Sequence, residues 1–412
     1  MKIAYLVSRY PAVSHAFVLD EVLALRARGV QVDTFAIRRS PPEELLSPAD
    51  REAAGSTFVV VPPSPLRFAR AHLRALARDP RRYVSTLAFA LLLGRADLRR
   101  VLWQLFYFAE AIVVFDECDR RGIRHLHAHF ANVATDVAMI AVRFGGNGWS
   151  WSFTLHGPVE LADVSAHRLA EKVRSAALVV CISDFARSQL MSLVPRREWT
   201  KLQLVRCGID TREFSRNGHP VGAHEGMHVI TVGRLSARKA HAVLVEAIAA
   251  LRDEGAQVRL TVVGDGEERA ALETLARELE LDDRVTFAGA VAHDELADVL
   301  AAADVFCLPS VAEGLPVVLM EAMAMGLPVV AARIMGIPEL VEDGVTGYTV
   351  APGRADALAD ALRRLAGERD RWPEMGAAGR RKVEADHDLR RSAASLHELL
   401  TSAAPEPVGS AR

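Results

Sequence analysis

Cysteine is scarce in this chain, net charge is almost absent, and no apolar run approaches the ~20 residues of a membrane span. The four cysteines are scattered without Cys-x-x-Cys spacing. That scarcity argues against a disulfide framework and predicts reduced thiols in a cytoplasmic protein. The net charge of −2 argues against nucleic acid as the main partner. The apolar N-terminal run is too short for a signal peptide, so the chain is expected to open directly on a strand.

What the chain does have is a repeated alternation of strand-like and helix-like segments. A length of 412 residues, half of them hydrophobic, predicts two well-packed domains rather than one. Residues 2–8 and 31–37 read as strands on either side of a helix at 17–28, which predicts a parallel, doubly wound α/β sheet. A second strand–helix series begins at 227. The sequence therefore predicts two Rossmann-like domains, 1–216 and 223–387, joined by a linker rich in glycine and proline at 217–222.

Positive charge is concentrated between Arg67 and Arg100. This segment holds nine arginines against two aspartates, a net charge of +7. Large apolar residues are interleaved with the arginines, and the stretch 64–121 reads as helical. One interpretation is a set of helices lying on an anionic membrane surface, at the inner face of the membrane. The other is an ordinary helical insert with solvated arginines and an inward apolar face.

Two carboxylates, Glu313 and Glu321, flank a glycine turn and the apolar start of a helix. The segment before them, 304–310, reads as a short buried strand. A strand–turn–helix unit of this kind directs free backbone N–H groups and a partial positive charge toward one point, so it predicts a bound anion such as phosphate. Pro316 is expected at the first helical position, where its missing N–H costs nothing. The carboxylates would accept hydrogen bonds from sugar hydroxyls beside that anion.

Further segments agree with this interpretation. Gly233-Arg234 and Lys239 follow a second strand and precede another helix, and Thr154-Leu155-His156-Gly157 ends a strand in the first half. Together with Val263-Gly-Asp-Gly266 and the spaced glutamates, they resemble the retaining GT-B glycosyltransferases of glycosyltransferase family 4, also called group 1. The resemblance extends over nearly the whole chain. It implies two Rossmann-like domains facing across a cleft, with a helix at about 388–402 crossing back to the first domain and a disordered tail at 403–412.

The resemblance also assigns roles. It implies that Glu321 holds the ribose of a nucleotide sugar and that Glu313 holds the transferred sugar. The backbone of Gly314, Leu315 and Pro316 would touch sugar and phosphate. His156 would contact the donor sugar near the reacting centre. Gly266 would lie near the nucleotide base, and Gly233 would allow the approach of the phosphate. The expected reaction is transfer to a glycan or lipid-linked acceptor in bacterial polysaccharide biosynthesis.

Loss of the nucleoside diphosphate builds negative charge that fixed cations or a metal must stabilise. Arg234 and Lys239 supply those cations, so we expect neither metal nor cofactor. The single Asp-x-Asp, Asp386-His-Asp388, lies far from these segments in sequence, and Asp388 is expected to cap the last helix or lie at the surface. His125, His127 and His129 alternate along one strand face, but no cysteine or carboxylate at ligand spacing supports a zinc cluster there.

The first β–α loop, 8–17, departs from the family. It resembles the loop of exopolysaccharide and colanic-acid-type members, except that His15 stands where glutamate is usual and Ala16 where threonine is usual. By the resemblance, Ser14, His15 and His129 face the acceptor, whose identity this departure leaves open. Three alternatives remain: a nucleotide-sugar epimerase on the same scaffold, glycosylation of a small-molecule acceptor, and a non-catalytic scaffold on the membrane surface.

Overall fold

A computed structural model describes residues 1–12, 16–62, 64–94, 97–216 and 226–405 of the chain. The chain forms two compact α/β units. The first contains Met1–Val205 together with the residues from Ala393 onward, and the second contains Arg206–Ser392. The predicted linker at 217–222 lies outside the described residues, as do Ser14 and His15.

The first unit is a seven-stranded parallel sheet covered by helices. Its strands are β1 (Lys2–Arg9), β2 (Gln31–Arg38), β3 (Phe58–Val61), β4 (His125–His129), β5 (Ser150–Leu155), β6 (Leu178–Cys181) and β7 (Leu202–Leu204). Its helices are α1 (Ala16–Ala27), α2 (Pro48–Ser56), α3 (Pro65–Arg78), α4 (Pro80–Leu93), α5 (Leu98–Arg120), α6 (Val133–Gly145), α7 (Pro158–Ala162), α8 (Leu169–Ser175) and α9 (Asp184–Leu193). The spatial order is β3-β2-β1-β4-β5-β6-β7, which is a doubly wound arrangement. Successive strands are added on one side of β1 up to β3 and on its other side from β4 onward, so the switch point of the sheet lies between β1 and β4.

Three of these helices, α3 to α5, separate β3 from β4 and contain the arginine-rich segment. Asp79 caps α4 by accepting from the Arg82 N–H, and Asp97 caps α5 by accepting from the Arg99 N–H. The two aspartates of the segment therefore serve as helix caps. The helices bury small residues such as Ala71, Ala75 and Ala90 against the core of the first unit.

The second unit is a six-stranded parallel sheet in the order β10-β9-β8-β11-β12-β13. Its strands are β8 (Met227–Val232), β9 (Val258–Val263), β10 (Val285–Gly289), β11 (Val305–Leu308), β12 (Val329–Ala332) and β13 (Gly347–Val350). Its helices are α10 (His241–Asp253), α11 (Arg269–Glu278), α12 (Leu296–Ala301), α13 (Val317–Ala324), α14 (Ile337–Leu340), α15 (Ala355–Gly367) and α16 (Trp372–Asp386). Strands β11 and β12 are buried along their whole length, as expected of central strands in a parallel sheet.

The division between the units falls at Val205, earlier than the predicted residue 216. Hydrogen bonds explain the earlier division. The Ile209 N–H donates to the His387 carbonyl at 2.9 Å, and the Arg380 guanidinium donates to the Phe214 carbonyl at 2.8 Å. Residues 206–216 therefore belong to the second unit.

The last helix, α17 (Leu389–Ala403), begins in the second unit and ends in the first. Asp388 caps it by accepting from the Arg391 N–H at 2.9 Å, in the capping role expected for it. Ala393, Leu396 and Leu400 are buried in one cluster with residues of β1 and α1, including Ile3 and Val18. The helix includes Ala403, where the tail was expected to begin, and residues 406–412 lie outside the described part of the chain.

Candidate active site

In the second unit, the carboxyl ends of the neighbouring strands β9, β8 and β11 gather the segments singled out from the sequence. Ligands of open parallel sheets bind outside these strand ends, where helix N-termini also meet. The loops are tied together by backbone hydrogen bonds. The Leu235 N–H donates to the Asp265 carbonyl at 2.9 Å, and the Val311 N–H donates to the Arg238 carbonyl at 2.8 Å.

A charged cluster lies where these loops meet. Lys239 Nζ is 2.5 Å from Glu313 Oε1, and the same oxygen accepts from Ser310 Oγ at 2.7 Å. Glu313 is 9% exposed and Ser310 is fully buried. The sequence analysis named Lys239 and Glu313 but missed Ser310, which is only a hydroxyl at a strand end. The structure thus brings a predicted cation and a predicted sugar-binding carboxylate into direct contact.

Glycines allow the loops after β8 and β9 to touch. A Cβ atom on Gly264 would lie 2.0 Å from the Gly233 carbonyl oxygen, and one on Gly266 would lie 2.3 Å from the Leu235 carbonyl oxygen. Gly233 itself has φ +155° and faces Lys239, whose Nζ would be 3.7 Å from an added Cβ. These contacts require glycine because any side chain would separate the strand ends.

The turn formed by Gly314, Leu315 and Pro316 leads into α13. Pro316 has φ −75° and ψ 117°, an extended conformation, and the helix begins one residue later at Val317. Pro316 is therefore the N-cap residue. The prediction that it is the first helical residue was wrong. The first N–H groups of α13 lack intrahelical acceptors whether the helix begins at Pro316 or at Val317, so the turn keeps its partial positive charge.

Glu321 lies one turn along α13 and is 3% exposed. Its Oε1 is 3.8 Å from His293 Nδ1, and the His293 ring contacts Phe214 edge-on at 5.8 Å between centroids. His293 follows β10 and was not predicted, because a histidine in a polar loop gives no signal in the sequence. The pair shows that Glu321 is held inside the unit while His293 remains 40% exposed by side chain.

Arg234 differs from Lys239 in its surroundings. Its side chain is 72% exposed and contacts Glu267, itself 56% exposed, at 3.2 Å. A surface ion pair of this kind contributes little to stability. The guanidinium is therefore available to move onto a ligand, whereas Lys239 is already fixed by Glu313.

In the first unit, His156 lies just after β5 and is 7% exposed. Its Nε2 is 2.9 Å from His129 Nδ1, and the two rings stack with centroids 5.1 Å apart. His129 Nε2 in turn lies 3.2 Å from Glu21 Oε1, which also accepts from Tyr5 Oη at 2.7 Å. His129 Nε2 makes no hydrogen bond to this carboxylate despite the short distance, so Glu21 can influence the tautomer of His129 only through its proximity. Glu21 was not predicted, since it is far from both histidines in sequence.

The alternating histidines of β4 are part of a hydrogen-bonded ladder. His125 contacts Ser150 and Ser152 at 2.6 and 2.7 Å, and His127 contacts Ser152 and Thr154 at 2.8 and 3.0 Å. Burial lowers the pKa of His125 to about 4. Burial, together with the neighbouring imidazoles, also lowers the pKa of His127 well below its usual value. Glu21, His127 and His129 do place one ligand atom each within 4.8 Å of one another. Both His127 nitrogens, however, already contact hydroxyl groups of β5.

Comparison with known proteins identifies the second unit. Residues 226–368 match the family model described as glycosyl transferases group 1. This chain carries a group 1 glycosyl transferase domain. The amylovoran biosynthesis glycosyltransferase AmsK of Erwinia amylovora is 37% identical over 48% of this chain and 50% of its own, so the match spans half of that relative. The colanic acid biosynthesis glycosyltransferase WcaL of Escherichia coli K12 is 29% identical over 97% of this chain and 100% of its own.

Solved structures extend the comparison from the group 1 domain to both units of the chain. Anabaena HepE in complex with UDP superposes with a TM-score of 0.74 at 19% identity, over 98% of this chain and 100% of its own. Sucrose-phosphate synthase from Thermosynechococcus elongatus gives a TM-score of 0.72 at 23% identity, over 98% of this chain and 99% of its own. The fold is GT-B, as predicted.

Proposed function

We propose that this chain is a retaining, metal-independent hexosyltransferase that moves a sugar from a nucleoside diphosphate sugar onto a glycan or lipid-linked acceptor in polysaccharide biosynthesis. The observation that carries the proposal is the 2.5 Å contact between Lys239 and Glu313 beside the first turn of α13. A cation, a buried carboxylate and a helix N-terminus meet there at the carboxyl edge of a parallel sheet. Phosphate oxygens and sugar hydroxyls are the groups this combination binds.

The chemistry follows from the charges. When the bond between the anomeric carbon and the phosphate oxygen breaks, negative charge builds on the diphosphate. Lys239, Arg234 and the N–H groups at the start of α13 are the groups we assign to that charge. Glu313 accepts hydrogen bonds from the transferred sugar, and Glu321 accepts them from the ribose. Gly233 and Gly266 let ligand phosphate and base approach the backbone. We assign His156 to the donor sugar on the family resemblance alone.

The comparisons support the substrate class and leave two donors to test first. HepE was solved with UDP and with UDP-glucose. A Mycobacterium tuberculosis relative, 35% identical over 54% of this chain and 61% of its own, is named a GDP-mannose-dependent mannosyltransferase. A uridine and a guanosine nucleotide sugar are therefore the donors we would test.

Acceptor-dependent release of nucleoside diphosphate is the experiment that separates the candidate activities. A transferase releases the diphosphate in proportion to added acceptor and yields a product with the donor's anomeric configuration. An epimerase interconverts the sugar nucleotide and releases nothing. Activity that survives excess EDTA supports the metal-free assignment, and activity that EDTA abolishes refutes it.

The surface of α3–α5 supports a membrane-bound location for the transferase. Exposed apolar side chains are concentrated on these helices: Leu66, Leu73, Leu76, Val84, Leu92, Leu98, Leu102, Trp103, Leu105 and Phe106. Leu66, Arg70 and Leu73 share one face of α3 by their spacing. We call this set of apolar side chains the apolar surface. None of the described helices is both long enough and apolar enough to span a bilayer.

The described arginines between Arg67 and Arg100 fall into two groups. One group has internal partners: Arg74 contacts Asp116 and Arg78 contacts Asp119, both at 2.6 Å, while Arg67 and Arg82 contact Val59 and Asp79. The other group is exposed and has no ion-pair partner among the described residues: Arg70, Arg81, Arg99 and Arg100. The second group is the one available to an anionic leaflet, where each nearby arginine adds about 1 kcal/mol.

Vesicle binding tests this location. Changing Arg70, Arg81, Arg99 and Arg100 to glutamine should abolish salt-sensitive binding to vesicles that contain phosphatidylserine. The charge-matched control changes the four partnered arginines, 67, 74, 78 and 82, and should lower thermal stability more than vesicle binding. Equal loss in both variants, or binding that ignores salt, contradicts the proposed surface.

A further inference from the structure

Two arginines lie side by side at the carboxyl ends of the first two strands. Arg9 and Arg38 are register partners in the parallel pair of β1 and β2. Like charges at opposed positions of a sheet are unfavourable, so the pair does not serve the stability of the sheet. Arg9 reaches Glu44 only at 3.9 Å with half its side chain exposed, and no described carboxylate lies within 4.0 Å of the Arg38 guanidinium.

The two arginines line a cavity of about 220 Å³ together with Ser8 and the rings of Trp103 and Tyr107 on α5. The rings are 6.2 Å apart between centroids and inclined by 31°. The volume is below the usual ~300–1,000 Å³ of sites that enclose a whole small molecule. A charged headgroup fits such a space, while a complete nucleotide sugar does not.

Glu110 gives an independent sign of a missing partner. It follows Trp103 and Tyr107 on the same face of α5, at the helical spacing i, i+4, i+7. Its Oε2 is buried with no hydrogen-bond partner among the described residues. Burial raises the pKa of Glu110 to about 7, and Arg38 opposes that rise. A protonated Glu110 is a neutral hydrogen-bond donor, so it adds no negative charge beside Arg38.

The cavity opens onto the apolar surface. Trp103 is 42% exposed, and its neighbours Leu102 and Phe106 are exposed to 53% and 58%. A ligand that fills the cavity with a charged headgroup would have its apolar part over these side chains. The arrangement thus suits an amphipathic molecule with a compact anionic end.

We propose that Arg9, Arg38, Ser8, Trp103 and Tyr107 form a binding site for the phosphate or diphosphate group of the acceptor. A planar guanidinium group can donate two parallel hydrogen bonds to two oxygens of one phosphate. Two adjacent arginines can bind the same phosphate or diphosphate group in this way. The phosphate belongs either to a lipid headgroup or to a free phosphate ester. The assignment of this phosphate to the acceptor rests on the proposed function. Binding of phosphate at the cavity does not, since it can be measured without transfer.

The test compares two probes, both in the presence of saturating nucleoside diphosphate to occupy the donor site. One probe is inorganic pyrophosphate, and the other is farnesyl diphosphate in phosphatidylcholine vesicles. The variant Arg9→Gln/Arg38→Gln should weaken binding at least about tenfold, the loss expected for charge-assisted hydrogen bonds. The control Arg196→Gln/Arg197→Gln removes equal charge from an exposed segment of the first unit outside the cavity and should leave the affinity within about twofold.

The outcomes separate the sources. Tighter binding of farnesyl diphosphate, lost in the first variant alone, supports a lipid headgroup. Equal affinity for both probes, lost in the same variant, supports a free phosphate ester. If the Arg9→Gln/Arg38→Gln variant and its control bind both probes with equal affinity, the proposed site is wrong. Weakened probe binding with an unchanged KM for the acceptor overturns its assignment to the acceptor. Absence of transfer in the parent chain refutes the proposed function and leaves the binding result readable.

Discussion

The two units present opposite kinds of polar site at corresponding edges of their sheets. The second unit holds formal charges in contact, with Lys239 on Glu313 and Ser310 beneath them. The first unit holds a stack of imidazoles from β4 to His156, in which burial opposes protonation of His125 and His127. A charged cluster can stabilise the negative charge that develops on a leaving diphosphate. Imidazole rings can instead form hydrogen bonds with sugar hydroxyls.

The largest effect should come from breaking the charged cluster. Lys239→Met should lower kcat about 10²–10³-fold, roughly 2.7–4 kcal/mol, because a cation on the leaving group is lost. It should also destabilise the second unit, since Glu313 keeps its charge with only Ser310 beside it. The double variant with Glu313→Gln should regain thermal stability and stay inactive. Transfer by Lys239→Met within a few-fold of the parent would contradict the assignment.

Arg234 provides the comparison within the same site. Arg234→Ala should cost about 1.5–3 kcal/mol in kcat/KM, the value of a hydrogen bond to a charged group, with no change in thermal stability because the side chain is exposed. Glu267→Gln removes its present partner and is the matched control. Its kinetics should equal those of the parent. Parental kinetics for Arg234→Ala itself would remove Arg234 from the site.

Acid should act on the neutral rings. Because the folded pKa of His125 is about 4 and that of an unfolded histidine about 6.5, the unfolded chain binds the extra proton between these values. Stability should therefore fall as pH drops from about 6.5 to 4, by about 3 kcal/mol for this residue. Unfolding of His125→Gln should show a shallower pH slope than unfolding of the parent. Identical slopes would mean that the ladder does not resist protonation.

The two glutamates should separate binding from transfer. Glu321→Gln should weaken binding of free nucleoside diphosphate by roughly 1.5–3 kcal/mol, since charge-assisted hydrogen bonds to the ribose are lost. Glu313→Gln should leave that affinity nearly intact and impair transfer. Calorimetry with the diphosphate and initial-rate kinetics distinguish the two. The same loss of affinity in both variants would contradict the division of roles.

The smallest effect should come from Glu21. Glu21→Ala removes the negative charge near His129 and should change the tautomer that His156 adopts, with a loss of about tenfold in transfer, or ~1.4 kcal/mol. Nitrogen-15 spectra of the histidines report the tautomer directly. Glu117→Gln, which removes a buried carboxylate bound to Arg120 and Arg121, is the control. Unchanged histidine spectra in Glu21→Ala would show that the carboxylate does not set the tautomer.

Sequence reasoning found the parts of the molecule that are local in the chain. Runs of apolar residues predicted strands at 2–8, 31–37 and 304–310, which correspond to β1, β2 and β11, and the glycine turn between Glu313 and Glu321 predicted α13. It missed β3, because four residues before a proline give too weak a period. It also missed Ser310, which is a lone hydroxyl at a strand end, and His293, which lies in a polar loop. It missed Glu21 because the histidine that Glu21 contacts is distant in the chain. The position of Pro316 was wrong by one residue, within the usual uncertainty of a helix end.

The final helix has a consequence for how the protein is made. The first 205 residues leave the ribosome early, yet the cluster around Ile3 and Val18 is closed by Ala393, Leu396 and Leu400. At about 5–20 residues per second, roughly 10–40 s of synthesis separate Val205, the end of the main segment of the first unit, from Ala393. During that interval the nascent first unit exposes an apolar groove. A nonsense mutation within the codons of α17 should therefore destabilise the unit whose main segment is translated first.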